Sequence, residues 1–288
     1  MKKVFVGLYL GEYGHFLMHV LPKLNGLYDE GYDITFATFE DDIKYIKKQF
    51  GPYILRHEIT YPWWPSNRGV AKCDDIPDYI KELYRSIDPS KYDLVIDTFN
   101  MSNEKFMSQI RSGPRIAKKI MSKINLEYKN SLVIFPRGGK NYWTEHKNWS
   151  EETCNSVIRH LAEKYFVYIG GVKGETRASI KLPNVYYLYE DVDRVNKTID
   201  ILSNCTTCIT NVSGGSILSL YTGCPTIAFG AKEYEKVYRY DMEGTKNYLE
   251  TEALFSDSTE LNNIIYDIDK FIDKSGNVRK ALDLRVIE

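Results

Sequence analysis

The sequence predicts an α/β protein of two Rossmann-like domains that face each other across a cleft. Three observations predict it. Runs of β-branched and aromatic residues alternate with runs of helical periodicity, this alternation comes in two series that meet near residue 130, and a glycine-serine turn joins a β-run to a helix late in the second series. Strands that alternate with helices build parallel sheets covered by helices. At 288 residues, 43% hydrophobic and 27% charged, the chain has material for two domains of ordinary size. We draw them as 1–128 and 129–288.

In chain order, Val4 to Leu10 is a β-run, Phe16 to Tyr28 has helical spacing, and Asp33 to Phe39 alternates as a strand, which makes a βαβ unit. Ile43 to Phe50 reads as a helix and Tyr53 to Tyr61 contains a strand. Pro62-Trp63-Trp64-Pro65-Ser66-Asn67-Arg68-Gly69 is a loop by its Pro and Gly content. Its paired tryptophans either line a binding surface or cap the domain core. A helix at Ile76 to Ile87 and a strand at Tyr92 to Asp97 follow, then polar helical material from Asn103 to Lys123 and a connector from Asn125 to Ser131.

The second series reads as strand Leu132 to Pro136, helix Ser150 to Lys164 and strand Tyr165 to Gly170. A strand at Val185 to Leu188, a helix at Val195 to Ser203, strand Thr207 to Thr210, helix Ser216 to Tyr221 and strand Pro225 to Phe229 complete it. After about Leu261 the chain is expected to form a helix that packs back on the first domain.

Composition removes several function classes. A net charge of −1 offers no electrostatic case for a nucleic-acid partner. No run approaches the ~20 apolar residues of a membrane span, and the apolar start lacks a small-residue cleavage site, so a cytoplasmic protein without a membrane partner is expected. The five cysteines are odd in number and scattered, against a disulfide framework. Cys205-Thr206-Thr207-Cys208 has no second Cys/His pair at metal spacing and leads into a β-run, so it reads as small residues packed near a strand. No metal site and no cofactor are expected.

Three segments carry candidate chemistry. In Thr210-Asn211-Val212-Ser213-Gly214-Gly215-Ser216 a strand ends in a small-residue turn that opens a helix. Amides and the positive end of the helix dipole converge there, which suits a phosphate or pyrophosphate. Gly214 and Gly215 would let a ligand approach the backbone, and Ser213 or Ser216 would cap the helix and donate a hydrogen bond. In Phe135-Pro136-Arg137-Gly138-Gly139-Lys140 a strand exits into a basic loop that runs on to Lys147. Arg137, Lys140 and Lys147 suit the charge that builds on a diphosphate leaving group; a solvated loop is the plain alternative. Ser150 reads as the N-cap of the next helix, with Glu151 and Glu152 in its first turn. The first βα turn holds Glu12 at the end of the first strand, where open α/β sheets place ligands; it is a candidate general base. His15 and His19, four apart, share a helix face and are alternative bases or phosphate ligands, or, for His19 above all, packed histidines.

These motifs together resemble glycosyltransferase family 9, the ADP-heptose:lipopolysaccharide heptosyltransferase group. Gly11-Glu12 and His19-Val20-Leu21-Pro22-Lys23-Leu24 are similar to the family's Gly-Asp turn and H-T-L-P-A-L helix, and Tyr92-Asp93-Leu94-Val95-Ile96-Asp97 to its Y-D-x-V-I-D strand. Lys147-Asn148-Trp149-Ser150-Glu151-Glu152 and Gly170-Gly171-Val172-Lys173-Gly174-Glu175 resemble its K-x-W-P-x-E helix start and G-G-x-x-x-E segment. Val212-Ser213-Gly214-Gly215-Ser216-Ile217 and Gly223-Cys224-Pro225-Thr226-Ile227-Ala228-Phe229-Gly230 resemble its D-[ST]-G-x-x-H turn and G-x-P continuation.

The resemblance implies the GT-B fold, with an N-terminal acceptor domain and a C-terminal domain that binds a nucleotide-diphosphate sugar. It implies metal-independent transfer to a hydroxyl of a glycan or other acceptor, with Glu12 as base and with Arg137, Lys140, Lys147, Glu175, Asn211, Ser213, Gly214, Gly215 and Ser216 as substrate-binding candidates. The chain departs from the family pattern. About four extra residues, roughly one helical turn, follow the Gly-acid turn, and Val212 and Ile217 stand where the family has Asp and His. Two other readings fit the same frame: a sugar-nucleotide epimerase, and a binding protein that kept the fold without the chemistry.

Overall fold

The structure, a computed structural model, describes residues 1–9, 13–39, 57–61, 78–98, 104–120, 122–138, 148–171, 176–191, 193–230, 235 and 251–285. These fall into two compact units, one running to Lys118 and the other beginning at Lys119, ahead of the boundary drawn at 128/129. The helix read at Ile43–Phe50 and the Trp63-Trp64 loop lie outside the described residues.

In the first unit β1 (Lys3–Gly7), β2 (Asp33–Phe39), β3 (His57–Tyr61) and β4 (Leu94–Asp97) form one sheet in the order β3-β2-β1-β4. All three pairings are parallel. The helical stretch after β1 comprises α1 (Tyr13–His15), a π-helical turn (Phe16–Val20) and α2 (Leu21–Asp29). Its apolar stripe, Phe16, Leu17, Val20, Leu21, Leu24 and Leu27, is buried throughout, as helical periodicity demands. α3 (Asp78–Ser86) brings Ile80 to Phe5, Leu8 and Ala37 in a core that Leu83, Tyr84 and Val95 extend.

The polar helix expected from Asn103 to Lys123 is shorter than its sequence pattern. α4 (Glu104–Arg111) stops at Ser112-Gly113-Pro114, where Gly113 takes a φ of +68° and proline cannot continue the hydrogen-bond ladder. The chain beyond runs against α2: Ile116 N–H donates to the Pro22 carbonyl at 2.8 Å, and Asn25 Nδ2 donates to the Ile116 carbonyl at 3.1 Å. Gly26 permits this approach, since a Cβ there would lie 2.3 Å from the Pro114 carbonyl oxygen.

In the second unit β5 (Ser131–Phe135), β6 (Phe166–Ile169), β7 (Val185–Tyr187), β8 (Thr207–Asn211), β9 (Thr226–Phe229) and β10 (Ala253–Ser256) pair in the order β10-β9-β8-β5-β6-β7. Every pairing is parallel. The chain therefore starts in the middle of the sheet, steps out through β6 and β7, returns beside β5 as β8, and steps out the other way. That is the Rossmann order, with its topological switch point between β5 and β8. The connecting helices are α5 (Glu151–Ala162), α6 (Arg194–Asn204) and α7 (Gly214–Tyr221), and α8 (Leu261–Arg285) closes the chain. β10 was absent from the sequence reading.

Within the second unit the C-terminal helix contributes to the core of the sheet. Ile264, Ile268, Phe271 and Ile272 of α8 join Leu132, Ile134, Val167, Ile209 and Ile227 of the second sheet in one core, because their spacing puts them on one helix face. Asp269 of the same helix holds His160 of α5 at 3.0 Å through each carboxylate oxygen. Cys205 and Cys208 are fully buried, and Cys205 Sγ lies 3.5 Å from Cys224 Sγ. Among the described residues no helix is long and apolar enough to cross a membrane.

Candidate functional site

The carboxyl ends of β5 and β8 lie side by side at the switch point, since Phe135 pairs with Thr210. Open α/β sheets bind ligands at this place. β5 delivers Phe135, Pro136 and Arg137; β8 delivers Asn211, and α7 begins at once after Val212 and Ser213. Two hydrogen bonds clasp the strand ends. The Arg137 backbone N–H donates to Asn211 Oδ1 at 3.2 Å, and Arg137 Nη1 donates to the Val212 carbonyl at 2.9 Å. Val212 thus contributes its carbonyl, while its side chain, like that of Ile217, is buried.

The turn before α7 is a capping box. Ser213, extended at φ −162°, accepts from the Gly215 N–H at 3.3 Å, and Ser216 Oγ accepts from the Ser213 N–H at 3.1 Å. Ser216 Oγ also donates to the Ser213 carbonyl at 2.5 Å, and the residue is 1% exposed, so its hydroxyl serves the turn. Ser213, Gly214 and Gly215 are half-buried. The helix N-terminus, the positive end of its dipole, follows directly on the carboxyl end of β8, a favourable setting for an anion.

Gly215 has a structural employment that the sequence reading missed. A Cβ there would lie 2.6 Å from Phe135 Cγ, and one at Gly170 would lie 2.3 Å from Phe135 Cε1. The ring of Phe135 occupies the space both glycines leave, so Gly215 is glycine for this ring; close approach of a ligand is not needed to explain it. The signal was present as an aromatic residue ending β5 and glycines following β6 and opening α7, but only the sheet order brings the three together. At the same edge Arg137 forms an isolated antiparallel bridge with Thr176.

The candidate base Glu12 and the substrate-binding candidates Lys140, Lys147 and Glu175 lie outside the described residues. Ser150 caps α5 as read, accepting from the Thr153 N–H at 3.0 Å. His15 and His19 belong to the first unit, with ring centroids 5.8 Å apart in an edge-on arrangement. His15 is half-buried. His19 is 5% exposed, and burial, followed by the charges of His15, Arg111 and Arg115, lowers its pKa to about 3. It is a neutral, packed imidazole near neutral pH. Below it on the helix, Lys23 is also buried; its Nζ donates to the Ser112 carbonyl at 2.6 Å, and burial lowers its pKa.

Solved structures share the fold at low sequence identity. The chain is similar to the Escherichia coli ADP-heptose lipopolysaccharide heptosyltransferase II, with a TM-score of 0.61, 10% identity, and coverage of 95% of this chain and 99% of that one. It is similar to E. coli heptosyltransferase WaaC with ADP-2-deoxy-2-fluoro heptose, with a TM-score of 0.59, 13% identity and coverage of 95% and 99%. It is also similar to a family 9 glycosyl transferase from Veillonella parvula, with a TM-score of 0.56, 14% identity and coverage of 98% and 96%. No family model matches the chain, and no curated protein matches it by sequence. The chain has the fold class of these enzymes, two Rossmann-like α/β units of the GT-B kind, and the resemblance drawn from its motifs agrees with theirs at the level of fold.

Proposed function

We propose that this chain is a metal-independent glycosyltransferase, acting in the cytoplasm, that moves a sugar from a nucleotide-diphosphate donor to an acceptor hydroxyl. The observation that carries the reading is the convergence of the Arg137 guanidinium and the N-terminus of α7 at the switch point of the second sheet. When the glycosidic carbon is attacked, its bond to the diphosphate breaks and negative charge grows on the leaving oxygens. A preorganised cation and helix dipole are the groups that lower the cost of that charge. Arg137 commits one of its five N–H donors to Val212, and its fork suits two phosphoryl oxygens.

The solved structures that resemble this chain support the donor class, since that of E. coli heptosyltransferase WaaC holds ADP-2-deoxy-2-fluoro heptose. For the acceptor proton we propose Glu12, by its place after β1, with His15 as the alternative. His19, at a pKa of about 3, is too weak a base near neutral pH.

Calorimetric titration of ADP, UDP and GDP into the wild type and Arg137→Ala tests the donor site. One of the three should bind, and the variant should bind it weaker by about 1.5–3 kcal/mol, the scale of hydrogen bonds to charged groups. Equal affinity of the two folded proteins would sink the assignment. Formation of glycoside with an acceptor, against turnover of the donor without one, separates transfer from epimerisation.

A further inference from the structure

Asn211 is fully buried and its carboxamide is only half used. Oδ1 accepts the Arg137 N–H, whereas Nδ2, sealed from solvent, has no hydrogen-bond partner among the described residues. Buried amides are normally paired on both sides, and an unmade bond to a buried donor costs free energy. An unpaired donor between the ends of β5 and β8 lies where this fold class places its ligands. Its immediate neighbours are the Arg137 cation and the N-terminus of α7, both suited to negative charge. The group that would satisfy a lone N–H donor in that setting is an anionic oxygen.

We propose that Asn211 is the second donor of this site: Nδ2 takes a phosphoryl oxygen of the nucleotide diphosphate while Oδ1 keeps Arg137 in register. The proposal rests on the donor-site reading above and adds to it a buried, uncharged group at the end of β8. Because Nδ2 is sealed from solvent, its contact with a phosphoryl oxygen requires the turn to open locally, while Arg137 keeps its bond to the Val212 carbonyl. The carboxamide thereby couples the position of the cation to the position of the diphosphate.

Asn211→Asp separates the two faces of the side chain, because a carboxylate still accepts the Arg137 N–H but donates nothing. Calorimetry with inorganic pyrophosphate and with ADP, UDP and GDP should show the folded variant at least tenfold weaker than the wild type. The deficit should persist at high salt, where a purely long-range repulsion is screened within about 3 Å at 1 M. A folded variant that binds within threefold of the wild type overturns the role of Asn211; if Arg137→Ala is weakened in the same series, the donor site itself stands. A deficit that vanishes at high salt overturns the direct contact as well. If the wild type binds neither pyrophosphate nor any of the nucleotides, both readings fall. Should Asn211→Asp not fold, wild-type protein labelled with ¹⁵N-asparagine decides: a shift of the Asn211 side-chain amide on adding pyrophosphate supports the contact, and an unmoved signal overturns it.

Discussion

The ring of Phe135 stands where a side chain on Gly215 would have to be, with 2.6 Å between Phe135 Cγ and the Cβ that alanine would add. The same ring excludes a side chain at Gly170, at 2.3 Å. The last residue of β5 is thus clamped between the glycine that follows β6 and the first turn of α7, which sets how far α7 stands from the sheet. Gly215→Ala and Gly170→Ala should each destabilise the protein by about 1–3 kcal/mol, the cost of overpacking. Because both clash with one ring, each should be partly relieved by Phe135→Ala. Urea denaturation of the singles and doubles measures this, and strictly additive effects would show that the ring is not the obstacle.

Ile268 is fully buried in the core of the second unit, while the His160–Asp269 pair of the same helix is partly exposed. Ile268→Ala should therefore cost about 2–5 kcal/mol, a large-to-small core change. Asp269→Asn should cost less than about 1 kcal/mol, as for exposed ion pairs. Denaturation of the two variants gives the ranking directly; a larger loss from Asp269→Asn would mean that α8 is held by its charges and not by its apolar face.

The second unit was the more legible in sequence because its strands are dense β-branched runs, such as Thr207-Cys208-Ile209-Thr210, and its turns carry glycine and serine at the required places. What remained hidden has physical reasons. β10, Ala253-Leu254-Phe255-Ser256, is a four-residue edge strand without clear alternation, and such runs are made by pairing more than by propensity. The end of α4 was written in Ser112-Gly113-Pro114, yet helical spacing continued past it, since Ile116 and Ile120 are buried for another reason, packing as extended chain. Arg137, Asn211 and the Ser213 turn were each legible as polar groups at strand ends. Their clasp, and the claim of Phe135 on Gly215, depend on β8 returning beside β5, which no local pattern reveals.

His19 makes the protein sensitive to acid. Its folded pKa, about 3, lies below the ordinary histidine value of 6.5, so the unfolded chain binds the extra proton first. Stability from this group is complete above pH 6.5 and falls as the pH drops from 6.5 toward 3, because the unfolded state binds more protons across that window. His19→Gln should flatten this part of the stability curve. Denaturation midpoints between pH 7 and 4 test it: if wild type and variant fall in parallel, the histidine is not the sensor.

Ser213 and Ser216 were alike in sequence, each a candidate to cap the helix and to touch the ligand, and the structure gives them different work. The hydroxyl proton of Ser216 goes to the Ser213 carbonyl at 2.5 Å, and its oxygen accepts the Ser213 N–H at 3.1 Å, inside a residue that is 1% exposed. Ser213 is half-buried and accepts from the Gly215 N–H at a longer 3.3 Å. Ser216→Ala should therefore lower stability by about 0.5–2 kcal/mol, the range for loss of a cap, and leave nucleoside-diphosphate affinity within about threefold. Ser213→Ala should carry a similar stability cost and also weaken the ligand, because Ser213 is half-buried rather than sealed and follows Val212, whose carbonyl holds Arg137. Thermal melts and calorimetry on the same two samples separate the effects. If Ser216→Ala loses affinity as strongly as Arg137→Ala while remaining folded, the buried hydroxyl reaches the ligand after all and the division of labour within the capping box is wrong.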